Sequence, residues 1–184
     1  MQYQPEKFLN AAVFFARNTD PKIFGVTKLM KLLFFSDFLH YERYGRPIVG
    51  DQYYHLPEGP VPTTSYDLWK GAMRGEKTGL EGYIKIIEEP VSDHKIFRIE
   101  ALRDFDENVF SDSDLEVMQE VAKEFFDVTG TSLAEKTHAI PFVKETPRVY
   151  PIDYVNAVKD DEDRKYIIEL QKEDEEVESA LLRS

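Results

Sequence analysis

The sequence predicts a mainly α-helical fold of the α+β kind, in which helices surround one central hydrophobic helix and a small antiparallel β element lies nearby. Three observations lead to this prediction. Apolar residues recur at helical spacing in several segments, one of these segments is apolar around more than half of its circumference, and two strand-like runs are joined by a short polar connection. Hydrophobic residues make up 42% of the 184 residues, which is enough for one compact domain with its own core.

The first half of the chain contains the clearest helices. A helix is predicted over residues 5–17, where Pro5 suits the first turn. A second helix is predicted between Thr27, as its N-cap, and Gly45, which is followed by a proline. This second helix should be the most buried one, packed by the first helix and by a helix over 114–127. Its apolar positions are Leu29, Leu32, Leu33, Phe34, Phe35, Phe38 and Leu39, with Ser36 among them.

The middle of the chain alternates between strand-like and helical patterns. Residues 52–56 form a strand candidate, but residues 57–62 are expected to be irregular because three prolines and a glycine interrupt them. A helix is predicted over Thr63–Met73. Strand-like runs at 83–87 and 96–99 then predict a hairpin.

Two capping-box patterns predict helix starts in the second half. Ser113 with Glu116 opens one helix, and Ser132 with Glu135 opens a shorter helix that ends near 137–138. Three prolines between 141 and 151 predict an extended crossing, after which 153–158 is a candidate for another helix.

The chain is expected to divide into a domain at 1–158 and an acidic, helical tail at 159–184. Residues 159–178 carry a net charge of −6, half of the −12 of the whole chain. We expect this tail to contact a partner through apolar anchors at near-helical spacing. The anchors are Tyr166, Ile167, Leu170, Val177 and Leu181.

Composition narrows the classes of function. The acidic balance argues against direct nucleic-acid binding, because phosphate repels it. The absence of cysteine excludes disulfides and thiolate metal sites. No signal sequence and no apolar run long enough to span a bilayer are seen, so a cytoplasmic protein without membrane contact is expected.

Few residues suggest chemistry. Asp37 and His40 lie three positions apart on the second helix, and His138 ends a short helix; structural roles are favoured for all three, with proton transfer left open. Lys28 and Lys31 make the polar side of the second helix basic, which predicts either a solvated face or contact with an acidic partner. No catalytic, phosphate-binding or metal-binding motif appears, so neither a cofactor nor a metal is predicted.

Three elements of the sequence, taken in order, resemble the SocA-like, or Panacea, antitoxin domain family over roughly residues 5–148. The first is the lysine- and leucine-rich run of the second helix, the second is a Gly-Pro-Val-Pro segment, and the third is Thr-His followed by Pro-Phe. Met30 and Phe142 depart from residues common in the family but keep their bulk. The matching positions, for which structural roles are favoured, are Leu29, Leu32, Leu33, Gly59, Pro60, Val61, Pro62, Thr137, His138 and Pro141.

The resemblance implies a bacterial or phage protein that is not an enzyme and that neutralises a partner toxin by direct contact. Two alternatives stay open: an adaptor that delivers a toxin to a protease, and an enzyme of unknown type. The sequence does not identify the toxin, and it leaves a homodimer open.

Overall fold

The fold is mainly helical with small antiparallel β elements, as the sequence predicts. The computed structural model describes residues 2–91 and 94–181, with side chains of the last helix described through residue 170 and at 172–173. The helices are α1 (Pro5–Asn18), α2 (Val26–Tyr44), α3 (Thr63–Met73), α4 (Asp112–Glu124), α5 (Gly130–Ala139), α6 (Pro141–Glu145) and α7 (Asp161–Leu181). The strands are β1 (Tyr53–Leu56), β2 (Gly59–Pro62), β3 (Ile84–Val91), β4 (His94–Ala101) and β5 (Pro151–Ile152).

The strands form two separate antiparallel units. The first is a three-stranded sheet in the order β2-β1-β5, and the second is the predicted β3–β4 hairpin. The prediction of an irregular segment over 57–62 is wrong for β2. Pro60 and Pro62 lack an N–H, but β2 is an edge strand with β1 on one side only, and an edge tolerates proline.

Helix α2 is the centre of the fold, as predicted. It packs against α1, α4, α5, β2 and a 3₁₀ turn at Tyr154–Ala157. It ends at Gly45, whose backbone has the left-handed conformation (φ 69°) that glycine adopts without strain. Its N-cap is Gly25 and not Thr27.

Two hydrophobic clusters share α2. The larger cluster joins α2 to α1, α4 and α5 through residues such as Phe15, Leu32, Leu33, Val121 and Leu133. The smaller cluster lies on the other side of α2 and includes Phe34, Phe38, Tyr41, Tyr53 and Tyr154. The wide apolar surface of α2 is therefore divided between two cores.

Several predicted helix starts are displaced. The capping box of α4 consists of Ser111 and Asp114, two residues before the predicted pair, and α5 is capped by Thr129. The extended crossing predicted after residue 140 begins instead with the short helix α6, because proline is well tolerated in the first turn of a helix. The helix suggested at 153–158 is the 3₁₀ turn at Tyr154–Ala157. Within the described residues, no helix is long and apolar enough to cross a membrane.

Candidate functional site: motif cluster and aromatic groove

The motif residues from three separate elements meet around Gly59. The Nζ of Lys31 on α2 donates to the carbonyl of Pro60 at 2.8 Å. Gly59 has a φ of 90°, and a Cβ atom there would lie 2.6 Å from Thr137 Oγ1 and 3.1 Å from Lys31 Nζ. A glycine is therefore required both by the backbone conformation and by the close approach of α2 and α5.

A histidine pair extends this contact. His55 Nε2 lies 3.4 Å from His138 Nδ1, while the other ring nitrogens contact the carbonyls of Thr146 and Pro57 at 2.7 and 3.0 Å. The pKa of His138 is lowered, mainly by burial and then by the positive charge of Arg148. The pair ties the β1–β2 hairpin to α5 and to the chain after α6. Sequence reasoning missed His55, because nothing in its local pattern links it to a helix more than eighty residues later.

The expectation that Lys28 and Lys31 form a basic surface is wrong. Both are only 1% exposed. Lys28 Nζ donates to the carbonyl of Phe126, just after α4, at 2.7 Å. Burial lowers the pKa of both lysines, that of Lys31 to about 8. Their ammonium groups bond to the protein's own carbonyls and are not presented to a partner.

Asp37 is the centre of a second network. It is fully buried and accepts hydrogen bonds from the backbone N–H groups of residues 48–50, at 2.7–3.2 Å, and from the hydroxyls of Tyr53 and Tyr154, at 3.0 and 3.1 Å. Burial raises its pKa to about 6, and these donors act in the opposite direction. The carboxylate holds the loop after α2 against β1 and the 3₁₀ turn.

His40 belongs to a third network. Its ring nitrogens contact the carbonyl of Arg46 at 2.7 Å, Ser113 Oγ at 3.0 Å and Asp114 Oδ1 at 3.1 Å. Burial lowers its pKa. Asp37, His40 and His138 thus have different partners and do not combine into one catalytic group. Within the described residues, no cluster of three or more His, Asp or Glu side chains is placed to hold a metal ion.

A broad groove with a volume of about 950 Å³ lies between α2, α4, α6 and the chain from the 3₁₀ turn into the start of α7. Aromatic rings in contact with one another form much of its wall. Phe38 stacks on Phe142 at 14°, and the ring centroids of Phe35 and Phe125 are 4.6 Å apart. The aromatic lining residues are Phe34, Phe35, Phe38, Phe125, Phe142 and Tyr150. We call this surface the aromatic groove.

Charged side chains line the aromatic groove unevenly. Four glutamates, Glu42, Glu120, Glu124 and Glu145, lie along it with one lysine and one arginine. Glu42 pairs with Lys159 at 2.7 Å, and Glu120 pairs with Arg43 of α2 at 2.7 Å. Glu124 and Glu145 are exposed and have no ion pair among the described residues.

The predicted tail helix is present as α7 and begins beside the aromatic groove. Tyr166 and Leu170 are 62% and 41% exposed, whereas Ile167 packs against the smaller core cluster. The side chains of Val177 and Leu181 lie outside the described residues.

The fold and its surfaces define a small α-helical domain built around a motif-bearing central helix, with an open aromatic groove beside it. The chain matches the antitoxin SocA-like, Panacea domain family over residues 29–141, which is more than half of its length. It therefore belongs to this family. No curated protein and no solved structure gives a significant match to the chain.

Proposed function

We propose that this protein is an antitoxin that neutralises a partner toxin by binding it directly. Family membership is the observation that carries the proposal. The structure supports a binding function because it has an open groove with apolar walls and an acidic rim. The best histidine and aspartate candidates for catalysis are instead engaged in separate structural networks.

The test uses the product of the neighbouring gene as the candidate toxin. Co-expression should restore growth, and the two purified proteins should form a complex of fixed stoichiometry. When the purified antitoxin is titrated into a fixed amount of purified toxin, full suppression of the toxin's activity should require the molar ratio found in the complex, because blocking by contact requires one binder for each site. Suppression by a small catalytic fraction of this protein would instead establish an enzyme.

The same assay distinguishes blocking from delivery to a protease. In a host that lacks its cytosolic ATP-dependent proteases, a blocking antitoxin still restores growth and the toxin level is unchanged. An adaptor loses its effect in that host, and in the normal host it lowers the toxin level. Light scattering of the free protein reports whether it is a homodimer before it meets the toxin.

We further propose that the acidic tail at 159–184 contacts the partner. The support is the exposure of Tyr166 and Leu170, which present apolar surface on a strongly charged helix. Truncation after Val158 should leave a folded domain that neutralises less well. Tyr166→Ser/Leu170→Ser is the matched variant, because it keeps the helix and its charge. Full neutralisation by both variants would show that the tail serves only solubility.

A further inference from the structure

The geometry points to a specific occupant of the aromatic groove: we propose that it binds an amphipathic α-helix of the partner, whose apolar face is flanked by lysine and arginine. The proposal rests on the proposed function for the identity of the partner, but the chemistry of the groove can be tested without it.

The groove has room for a short stretch of helix. A helix with its side chains is roughly 10–12 Å across and rises about 5.4 Å per turn, so the groove's volume of about 950 Å³ corresponds to roughly two turns. Two turns place three or four apolar side chains on one face. Ile140, Phe35, Leu39 and Phe142 are partly exposed here and provide the surface for those side chains.

Two apolar residues at the edge of the groove are exposed to solvent. Tyr150 lines the groove and is 59% exposed, and the neighbouring Val149 is 66% exposed. Val149 has a φ of 62°, a conformation that is strained for a β-branched residue. Two backbone hydrogen bonds hold it there. The Val149 N–H donates to the carbonyl of His55 at 2.8 Å, and the His55 N–H donates to the carbonyl of Tyr150 at 3.0 Å. A strained segment that keeps two apolar side chains exposed is expected where a partner covers them.

The acidic side chains of the groove favour a basic partner. Glu124 and Glu145 extend the acidic rim without a cation of their own among the described residues, so each is available to pair with a cationic side chain of a partner. Lys159 and Arg164 of the protein's own tail already line the groove, but residues 165–178 carry two lysines and six acidic residues, so the rim repels them and they are poor occupants. The same repulsion disfavours the tail of a second copy. A basic amphipathic helix from another protein has the required combination of apolar and positive surface.

The probe is a synthetic helical peptide of about 15 residues with leucine at positions i, i+3, i+4 and i+7 and with lysine and arginine on the flanks. A second peptide of the same pattern carries glutamate in place of the basic residues. Fluorescence anisotropy with the full-length protein should give a dissociation constant at least about tenfold lower for the basic peptide, with an affinity that falls as salt is added.

Glu124→Lys/Glu145→Lys should weaken binding of the basic peptide by about tenfold or more and should favour the acidic peptide. Glu100→Lys/Glu135→Lys is the control, because it makes the same change in net charge at exposed glutamates that do not line the groove. Tyr150→Ser should weaken both peptides, whereas Leu102→Ser, at a residue 54% exposed and outside the groove, should weaken neither.

Equal affinity for the two peptides, or equal effects of the two charge variants, would overturn the proposal. Self-association of the wild-type protein that is lost in Glu124→Lys/Glu145→Lys would also overturn it, because a second copy would then be the occupant. If the protein neutralises the toxin but neither peptide binds, the groove proposal fails and the antitoxin function stands. If the basic peptide binds at the groove but no toxin is neutralised, the function fails and the groove proposal stands.

Discussion

Replacement of Asp37 should reveal how much of the fold depends on one buried carboxylate. Five donors converge on its two oxygens, three of them backbone N–H groups of residues 48–50 that have no other acceptor among the described hydrogen bonds. Tyr154 differs, because its hydroxyl also lies 2.7 Å from the carbonyl of Asp51. In Asp37→Ala at least three buried donors lose their acceptor, which typically costs about 1–3 kcal/mol each and is not additive.

The cost of keeping a charge buried offsets part of this loss, as the raised pKa of Asp37 indicates. We therefore expect Asp37→Ala to lower the free energy of unfolding by about 3–5 kcal/mol. Asp37→Asn should lower it by about 1–3 kcal/mol, since the amide keeps one acceptor but turns an NH₂ towards the Gly50 N–H.

Urea unfolding at pH 7, followed by circular dichroism, measures both values. Ser36→Ala is the matched control on the same turn of α2, because Ser36 Oγ is buried without a hydrogen-bond partner among the described residues. Its removal should leave the free energy of unfolding unchanged or raise it slightly. The reasoning is refuted if Asp37→Ala is no more destabilising than Ser36→Ala.

Two further predictions concern the motif cluster. Gly59→Ala should lower the free energy of unfolding by about 1–3 kcal/mol more than Gly75→Ala does. Both positions have positive φ (90° and 80°), but only at Gly59 would the new Cβ meet Thr137 and Lys31. Equal losses of the two variants in thermal unfolding would show that the close approach is unimportant. For Lys31, whose folded pKa of about 8 lies below the ordinary 10.5, the unfolded chain binds more protons between these values, so this residue's contribution to stability rises as the pH rises through 8. The wild type should therefore gain up to roughly 3 kcal/mol relative to Lys31→Met between about pH 8 and 10.5, and a difference in unfolding free energy that does not change with pH would contradict this.

The helices could be predicted because their periodicity is local. The wide apolar surface of α2 correctly indicated a central position, and the hairpin of β3 and β4 followed from two runs and a turn. The missed strand β2 shows the limit of such reasoning. Its prolines argue against a strand unless the strand lies at an edge, and the position of a strand in a sheet depends on partners distant in sequence.

The candidate site was predicted less well for the same reason. Lysines at positions 28 and 31 of a helix indicate a polar face, but the carbonyls that bind them belong to Phe126 and Pro60, far away along the chain. A buried lysine that serves as a donor to a backbone carbonyl leaves no local signature. His55 was missed because its partner, His138, lies on another element.

The aromatic groove explains why α2 carries more aromatic residues than one core requires. The leucines of α2 at 29, 32 and 33 pack into the larger cluster with α1, α4 and α5, and this cluster alone would account for an ordinary amphipathic helix. Phe34 and Phe38 are also buried, but in the smaller cluster, and they line the groove as well. Phe35 lies between the two faces and remains partly exposed in the groove. The helix that organises the fold therefore also lines the groove, so a partner seated there would contact a helix that both core clusters hold in place.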